Sequence, residues 1–293
     1  MVEISVCAAP FRRAHDEAKA TTPTMPTLTM EEVIERYWRR LYNFAFRMTL
    51  NRDEAATVVE ETLLRTYVGQ GKIPADVTQV EPWLLRIAAH VVEKRVSKGQ
   101  DVSFDLLDET LRSEATRTDV QRGLNDPEKS YMLWELKQGC MTSVVNCLSP
   151  GERIAFVMTV MMGFSEEHAA KVLGISGSAY KVRLSRARKK VTDYLAPRCE
   201  HVEPSNPCHC PSRLGVALSK GFIAQPQVSE VRLRDRQPFG RYGSGGTEDA
   251  PARDVMRIYQ TLPDVDAPEE LLSKLHGNLT SGAWESMKKQ AER

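Results

Sequence analysis

The chain has 293 residues, 41% of them apolar and 27% charged, with a formal net charge of +1. That length fits one large domain or two to three small ones, and the composition is that of a globular protein rather than a disordered or fibrous one. Near-zero charge would weigh against a nucleic-acid partner if the basic residues were evenly spread. They are not: from Ser178 to Lys190 there are six, Lys181, Arg183, Arg186, Arg188, Lys189 and Lys190, and no acid, so the relevant field is local.

The longest apolar stretches, such as that from Ile154 to Met162, fall far short of the roughly 20 residues that span a bilayer. Arg12, Arg13 and Lys19 near the N-terminus are not followed by the apolar core of a secretory signal. A cytoplasmic protein without a membrane partner is expected. No phosphate loop, nucleophile elbow or paired-carboxylate constellation stands in suitable context, so an enzyme is not expected.

Residues 1–28 mix Ala, Thr and Pro without a sustained period and read as a flexible arm. Thr29 with Glu32 has the form of a capping box, and Val33, Tyr37, Leu41, Phe44 and Met48 recur at helical spacing. Asn51 with Glu54 repeats the start signal ahead of a second stripe through Ala55, Val58, Val59, Thr62, Leu63 and Tyr67, which ends before Gly69 and Gly71. A third helix runs from about Pro82 to Lys98, with Pro82 in the first turn. Residues 29–98 therefore form a small three-helix bundle.

Residues 99–128 are acidic and weakly periodic, the composition of a linker that forms helix at most transiently. Residues 129–196 imply four helices, divided at Ser149-Pro150-Gly151, Gly163-Phe164-Ser165 and Gly174-Ile175-Ser176-Gly177. Residues 197–293 are an extension in which a Pro- and Cys-containing loop, a polar stretch over 225–253 and a helical pattern from about Pro268 to Lys289 follow one another. The expected architecture is all-α: two small helical domains, an acidic linker and a partly ordered C-terminal extension.

From Glu166 to Leu173, across Gly174-Ile175-Ser176, and on from Ser178, the pattern has helix-turn-helix spacing. Val182 and Leu184 are expected to face the bundle. Ser178, Tyr180, Lys181, Arg183 and Arg186, with Arg188 further along, are expected to meet DNA through phosphates and base edges in a major groove. An ordinary bundle with a solvated basic helix is the competing account.

The run Leu148-Ser149-Pro150-Gly151-Glu152-Arg153, then Gly163 through Ser176, then Tyr180 through Arg188, resembles region 4 of the sigma factors of bacterial RNA polymerase. The resemblance implies recognition of the −35 promoter element and contact with the polymerase beta flap. Leu41-Tyr42 through Arg47-Met48, Asp53-Glu54-Ala55, Val58 through Tyr67, and Trp83 through Ala88 are similar to sigma region 2. This implies docking on the beta-prime clamp helices through Asp53, Val58, Val59, Glu60 and Glu61, and opening of the −10 element by Trp83, Arg86 and His90. Both regions in order, with no region 3 between them, resemble the extracytoplasmic-function group. Core polymerase, promoter DNA and an anti-sigma factor are the partners so implied.

The sequence departs from that family at Thr57, Glu60, Ala89-His90 and Lys94-Arg95. These departures motivate a second reading beside the leading one of a promoter-specificity subunit: a sigma-like regulator that binds an anti-sigma factor or core polymerase without opening promoters. No cofactor is required by either reading. Cys199, His201, Cys208 and Cys210 could nevertheless hold zinc, or copper(I) at the Cys-x-Cys pair, while reduced thiols or a redox disulfide are the alternatives. Cys7, Cys140 and Cys147 read as isolated thiols.

Overall fold

The computed structural model describes residues 28–69, 72–96, 103–112, 126–219, 223 and 254–291. The expected arm over 1–28 and the polar stretch over 225–253 lie outside the described residues, save Leu28. Twelve α-helices and no strand are found among the described residues. No helix there is long and apolar enough to cross a membrane.

The first bundle comprises α1 (Met30–Thr49), α2 (Arg52–Val68) and α3 (Val80–Val96). The Thr29 capping box forms, with the Glu32 amide donating to Thr29 Oγ1 at 3.2 Å and the Thr29 amide to Glu32 Oε2 at 2.8 Å. Asn51 caps α2 through the Glu54 amide at 2.9 Å. Both caps satisfy donors that a helix start otherwise leaves orphaned. The stripe from Val33 to Met48 is buried, apart from half-buried Tyr37.

α1 is buried on more than one face, since every residue from Leu41 to Met48 is buried, including Asn43 and Arg47. α2 and α3 cover one side. The other is covered by α5 (Asp126–Asn146) and by the chain around residues 263–265. Arg47 donates to Gln138 Oε1 at 2.7 Å, to Thr142 Oγ1 at 2.9 Å and to the Pro263 carbonyl at 2.7 Å. Asn43 exchanges two hydrogen bonds with the Val265 backbone, at 3.1 and 2.6 Å. Burial pushes the Arg47 guanidinium down to about 10, yet its three acceptors hold it where it is.

The acidic linker contains an ordered helix, α4 (Phe104–Arg112). Phe104 stacks on Tyr194 with ring centroids 4.9 Å apart, and Asp108 accepts from the Tyr194 hydroxyl at 2.9 Å and pairs with Arg198 at 3.1 Å. A helix here departs from the expected linker because its partners lie some 90 residues downstream in sequence.

The second block has the four expected helices: α5, α6 (Pro150–Phe156), α7 (Glu166–Leu173) and α8 (Gly177–Leu195). α6 runs on as a π-helical segment over Val157–Met161. Arg153 joins the two blocks from a buried position. It donates to the Met48 carbonyl at 2.7 Å, to Asn146 Oδ1 at 2.8 Å, and to the Asn146 and Leu148 carbonyls at 2.6 and 3.2 Å.

The C-terminal extension is more ordered than its composition suggests. α9 (Cys210–Ser219) packs on α5 in a small core with Tyr131, Met132, Leu133 and Leu214. α10 (Val255–Gln260) packs on the π-helical segment and α8, with Tyr259 edge-on to Phe156 at 4.9 Å. The last helical pattern is two helices, α11 (Glu269–Thr280) and α12 (Ala283–Ala291), divided at Gly282, whose φ of +72° lies in the region that favours glycine.

Candidate nucleic-acid interface

α7 and α8 form the helix-turn-helix. Ser165 caps α7 through the His168 amide and Ser176 caps α8 through the Ala179 amide, both at 3.2 Å. Gly174 ends α7 with φ +67°, the left-handed conformation that a glycine adopts without strain. Ile175 packs against the core, closing the angle between the helices.

The outer face of α8 exposes Ser178, Lys181 and Arg186. Arg183 and Arg188 are half-buried: the Arg183 guanidinium lies against Gly151 at the start of α6, and Arg188 pairs with Glu166 at 3.3 Å. Lys189 and Lys190 pair with Asp193 and Glu152 at 2.7 and 2.8 Å, which leaves Lys181 and Arg186 as the cations most available to an anionic ligand.

The structure corrects two placements on this helix. Tyr180 does not point outward; it is fully buried, donating to the Ala155 carbonyl at 3.0 Å and lying 2.7 Å from Thr159 Oγ1. Val182 does not face the bundle but is 49% exposed. The signal was present in the sequence. Tyr180, Leu184, Ala187 and Val191 recur at i, i+4, i+7 and i+11, one face of a helix, and a residue two positions from Tyr180 or Leu184 falls on the opposite side.

In the first bundle, Val58 and Val59 are fully buried in the core of α1, α2 and α3, so their expected place on a polymerase-docking surface is corrected. Asp53 is exposed, and Glu60 is paired with Lys274 at 2.7 Å. Glu61 is held between Arg65 and Arg95; burial alone would raise its carboxyl, but hydrogen bonds from both arginines outweigh it and hold it below the usual range. Trp83 is half-buried, whereas Arg86 and His90 are exposed. α3 packs against α7, and a Cβ placed on Gly174 would sit 3.2 Å from Arg86 Nη2. The turn of the helix-turn-helix thus lies over the face of α3 that carries Arg86.

The expected metal ligands are only partly brought together. His201 and Cys210 converge, with Sγ and Nε2 3.5 Å apart, and the third group beside them is Glu200, with all three ligand atoms within 4.8 Å of one another. Cys199 and Cys208 are joined through the backbone, where the Cys208 amide donates to the Arg198 carbonyl at 2.9 Å, and are not in that group. Burial pushes up the Cys199 thiol. Cys140, read as isolated, is pushed up to about 12 by burial first and then by neighbouring Cys199 and Cys208. No local spacing links Cys140 to the loop, so only the packing of α5 could reveal it.

Residues 138–191 match the family model described as Sigma-70, region 4. That span runs from the second half of α5 through the exposed cations of α8. The second helical block carries a sigma-70 region 4.

The similarity extends beyond region 4. The chain is 25% identical over 183 residues to the ECF RNA polymerase sigma factor SigE of Mycolicibacterium smegmatis, covering 61% of this chain and 66% of the relative. It is 23% identical over 164 residues to the ECF RNA polymerase sigma factor SigM of Bacillus subtilis, covering 56% of this chain and 93% of the relative. RNA polymerase sigma factor CarQ of Myxococcus xanthus is 26% identical over 168 residues, covering 56% of this chain and 88% of CarQ. These matches take in little more than half of the chain.

Proposed function

We propose that this chain is a promoter-recognition subunit of bacterial RNA polymerase of the extracytoplasmic-function type. The observation that carries this reading is the basic outer face of α8, set on a helix-turn-helix that matches sigma-70 region 4. Lys181 and Arg186 on the N-terminal half of α8 can reach base edges and phosphates when that helix enters a major groove. Arg183 and Arg188 of the same helix become available to DNA once it competes for their present partners. The first bundle then supplies Asp53, Glu60 and Glu61 to the clamp helices of the beta-prime subunit and Trp83, Arg86 and His90 to the −10 element. In the present arrangement Arg86 lies against the turn at Gly174, so opening promoter DNA requires α3 and α7 to part.

The deciding experiment is run-off transcription with purified core polymerase on promoters mapped from transcript starts after overexpression. Initiation that depends on this chain is expected. Clean binding to core with no start at any promoter would favour the competing regulator that binds without opening DNA, for which the exposed His90 and its neighbour Lys94 are the supporting departures.

The loop after region 4 carries a separate proposal. Glu200, His201 and Cys210 offer one carboxylate, one imidazole and one thiolate, a mixed donor set that suits zinc better than copper(I). The Glu200 carboxylate also accepts from the Cys210 amide and lies 2.9 Å from His209 Nδ1, which orients it toward the other two groups. Bound zinc would supply a cross-link between the loop and the start of α9.

A further inference from the structure

The last two helices lie on the first bundle, α11 against α1 and α12 against α2. On either side of the turn at Gly282, both helices reach α2, α11 through Lys274 on Glu60 and α12 through Trp284 on Tyr67. Leu271 and Leu275 of α11 are buried, and Trp284 of α12 is 2% exposed, with its ring 5.8 Å from that of Tyr67 on α2. Polar contacts frame these apolar ones. Lys274 Nζ lies 2.7 Å from Glu60 Oε1, His276 Nε2 lies 2.7 Å from Glu35 Oε1, and the Tyr67 hydroxyl donates to Glu285 Oε2 at 2.9 Å. The bundle thus presents acids on this side, and the tail answers with a lysine and a histidine.

We infer that α11 and α12 are a built-in cover over the polymerase-docking side of the first bundle, so that the tail and core polymerase compete for it. The inference rests on the proposed sigma function, which assigns Glu60 to docking. Glu60 cannot meet a basic partner on the polymerase while Lys274 holds it, and α12 occupies the flank of α2 beside it.

The construction of the tail suits a cover that opens. Helices of 12 and 9 residues are too short to persist in water without a packed face. The Lys274–Glu60 and His276–Glu35 pairs are partly exposed, so each contributes little and is screened by salt. The segment just before the cover is fastened far more firmly, through the bonds from Arg47 to Pro263 and between Asn43 and Val265. The tether keeps the cover at high effective concentration, so its hold on the bundle rests on the buried Leu271, Leu275 and Trp284 and little on the exposed ion pairs. The apparent affinity for polymerase is then the intrinsic affinity reduced by the fraction of chains that are open.

The test uses the full-length chain. Leu275→Asp with Trp284→Asp places two carboxylates in the buried contact, and hydrogen exchange over residues 269–291 reports release. The Kd for core polymerase is expected to tighten about tenfold if the cover is closed roughly nine-tenths of the time. Lys274→Glu alters a surface position and so leaves folding intact, and is expected to tighten binding about two- to threefold on the same relation. Faster exchange in the tail with an unchanged Kd overturns the inference. Should the double variant lose protection in α1–α3 as well, Lys274→Glu decides alone, and an unchanged Kd beside faster α11 exchange again overturns it. Absence of core binding by wild type and every variant would defeat the sigma reading itself, and the cover with it.

Discussion

Tyr180→Phe removes the hydroxyl that donates to Ala155 and meets Thr159 inside region 4. Leaving those groups without a partner should cost about 1–2 kcal/mol in urea unfolding while DNA affinity of the folded protein stays unchanged. Lys181→Ala and Arg186→Ala should do the reverse: stability is kept, and the slope of log K against log salt falls by about 1 for each phosphate no longer neutralised. A slope unchanged in both variants would remove α8 as the phosphate-binding surface. Glu152 gives a pH signature. Burial alone would raise its carboxyl, but hydrogen bonds from Lys190 and Ser149 outweigh this and leave it depressed. Its stabilising contribution is therefore present above the unfolded carboxyl value of about 4.3 and is lost as pH falls through the lower folded value. Glu152→Gln should cost about 1 kcal/mol at pH 7, with the gap from wild type closing in acid; a gap that persists at low pH would point to packing instead. For the loop, His201→Ala and Cys210→Ser should each abolish zinc in the purified protein, with metal content measured directly; unchanged content in both would dismiss the site.

Between secondary-structure elements, the turns and caps were readable because their rules are local. A Ser or Thr before a helix, or a Gly after one, acts on backbone groups three or four residues away, and Thr29, Asn51, Ser165, Ser176 and Gly174 all do so here. Gly174→Ala would force a side chain onto a backbone at φ +67°, with its Cβ 3.2 Å from Arg86 Nη2. The guanidinium can move, so the cost is mainly backbone strain, about 1 kcal/mol, read as a lowered urea midpoint with an unchanged slope. Helix α4 was not readable in this way. Its acidic residues resemble those of a linker, and what orders it is Phe104 on Tyr194 and Asp108 on Arg198, partners far beyond the reach of any local sequence window.

Among the described residues, the two blocks share one core with α10, α11 and α12, and α9 packs on α5 in a second, smaller one. Arg47 and Arg153 each reach across a boundary, the first to α5 and the tail, the second to the end of α1. Arg47→Leu would leave the Pro263 carbonyl and the side chains of Gln138 and Thr142 short of a partner, a loss of about 2–4 kcal/mol. Because of these ties, thermal unfolding followed at Trp38 or Trp83 in the first bundle and at Tyr180 in region 4 should give one coincident transition; two separate transitions would show that the blocks are independent.

The sequence was enough for the seven helices of the two blocks, the caps at Thr29 and Asn51, the helix-turn-helix and the local concentration of positive charge, because each depends on residues within a few turns of one another. It was also enough to carry the resemblance to sigma regions 4 and 2. Helical periodicity already placed Tyr180, Val58 and Val59 on apolar stripes, and the packing buries those stripes. Their assignment to surfaces followed motif position instead. Only packing decided the burial of Arg47, the placing of Cys140 beside the cysteine loop, and the seating of Lys274 on Glu60. Those contacts join residues far apart in the chain, where no periodicity of sequence reaches.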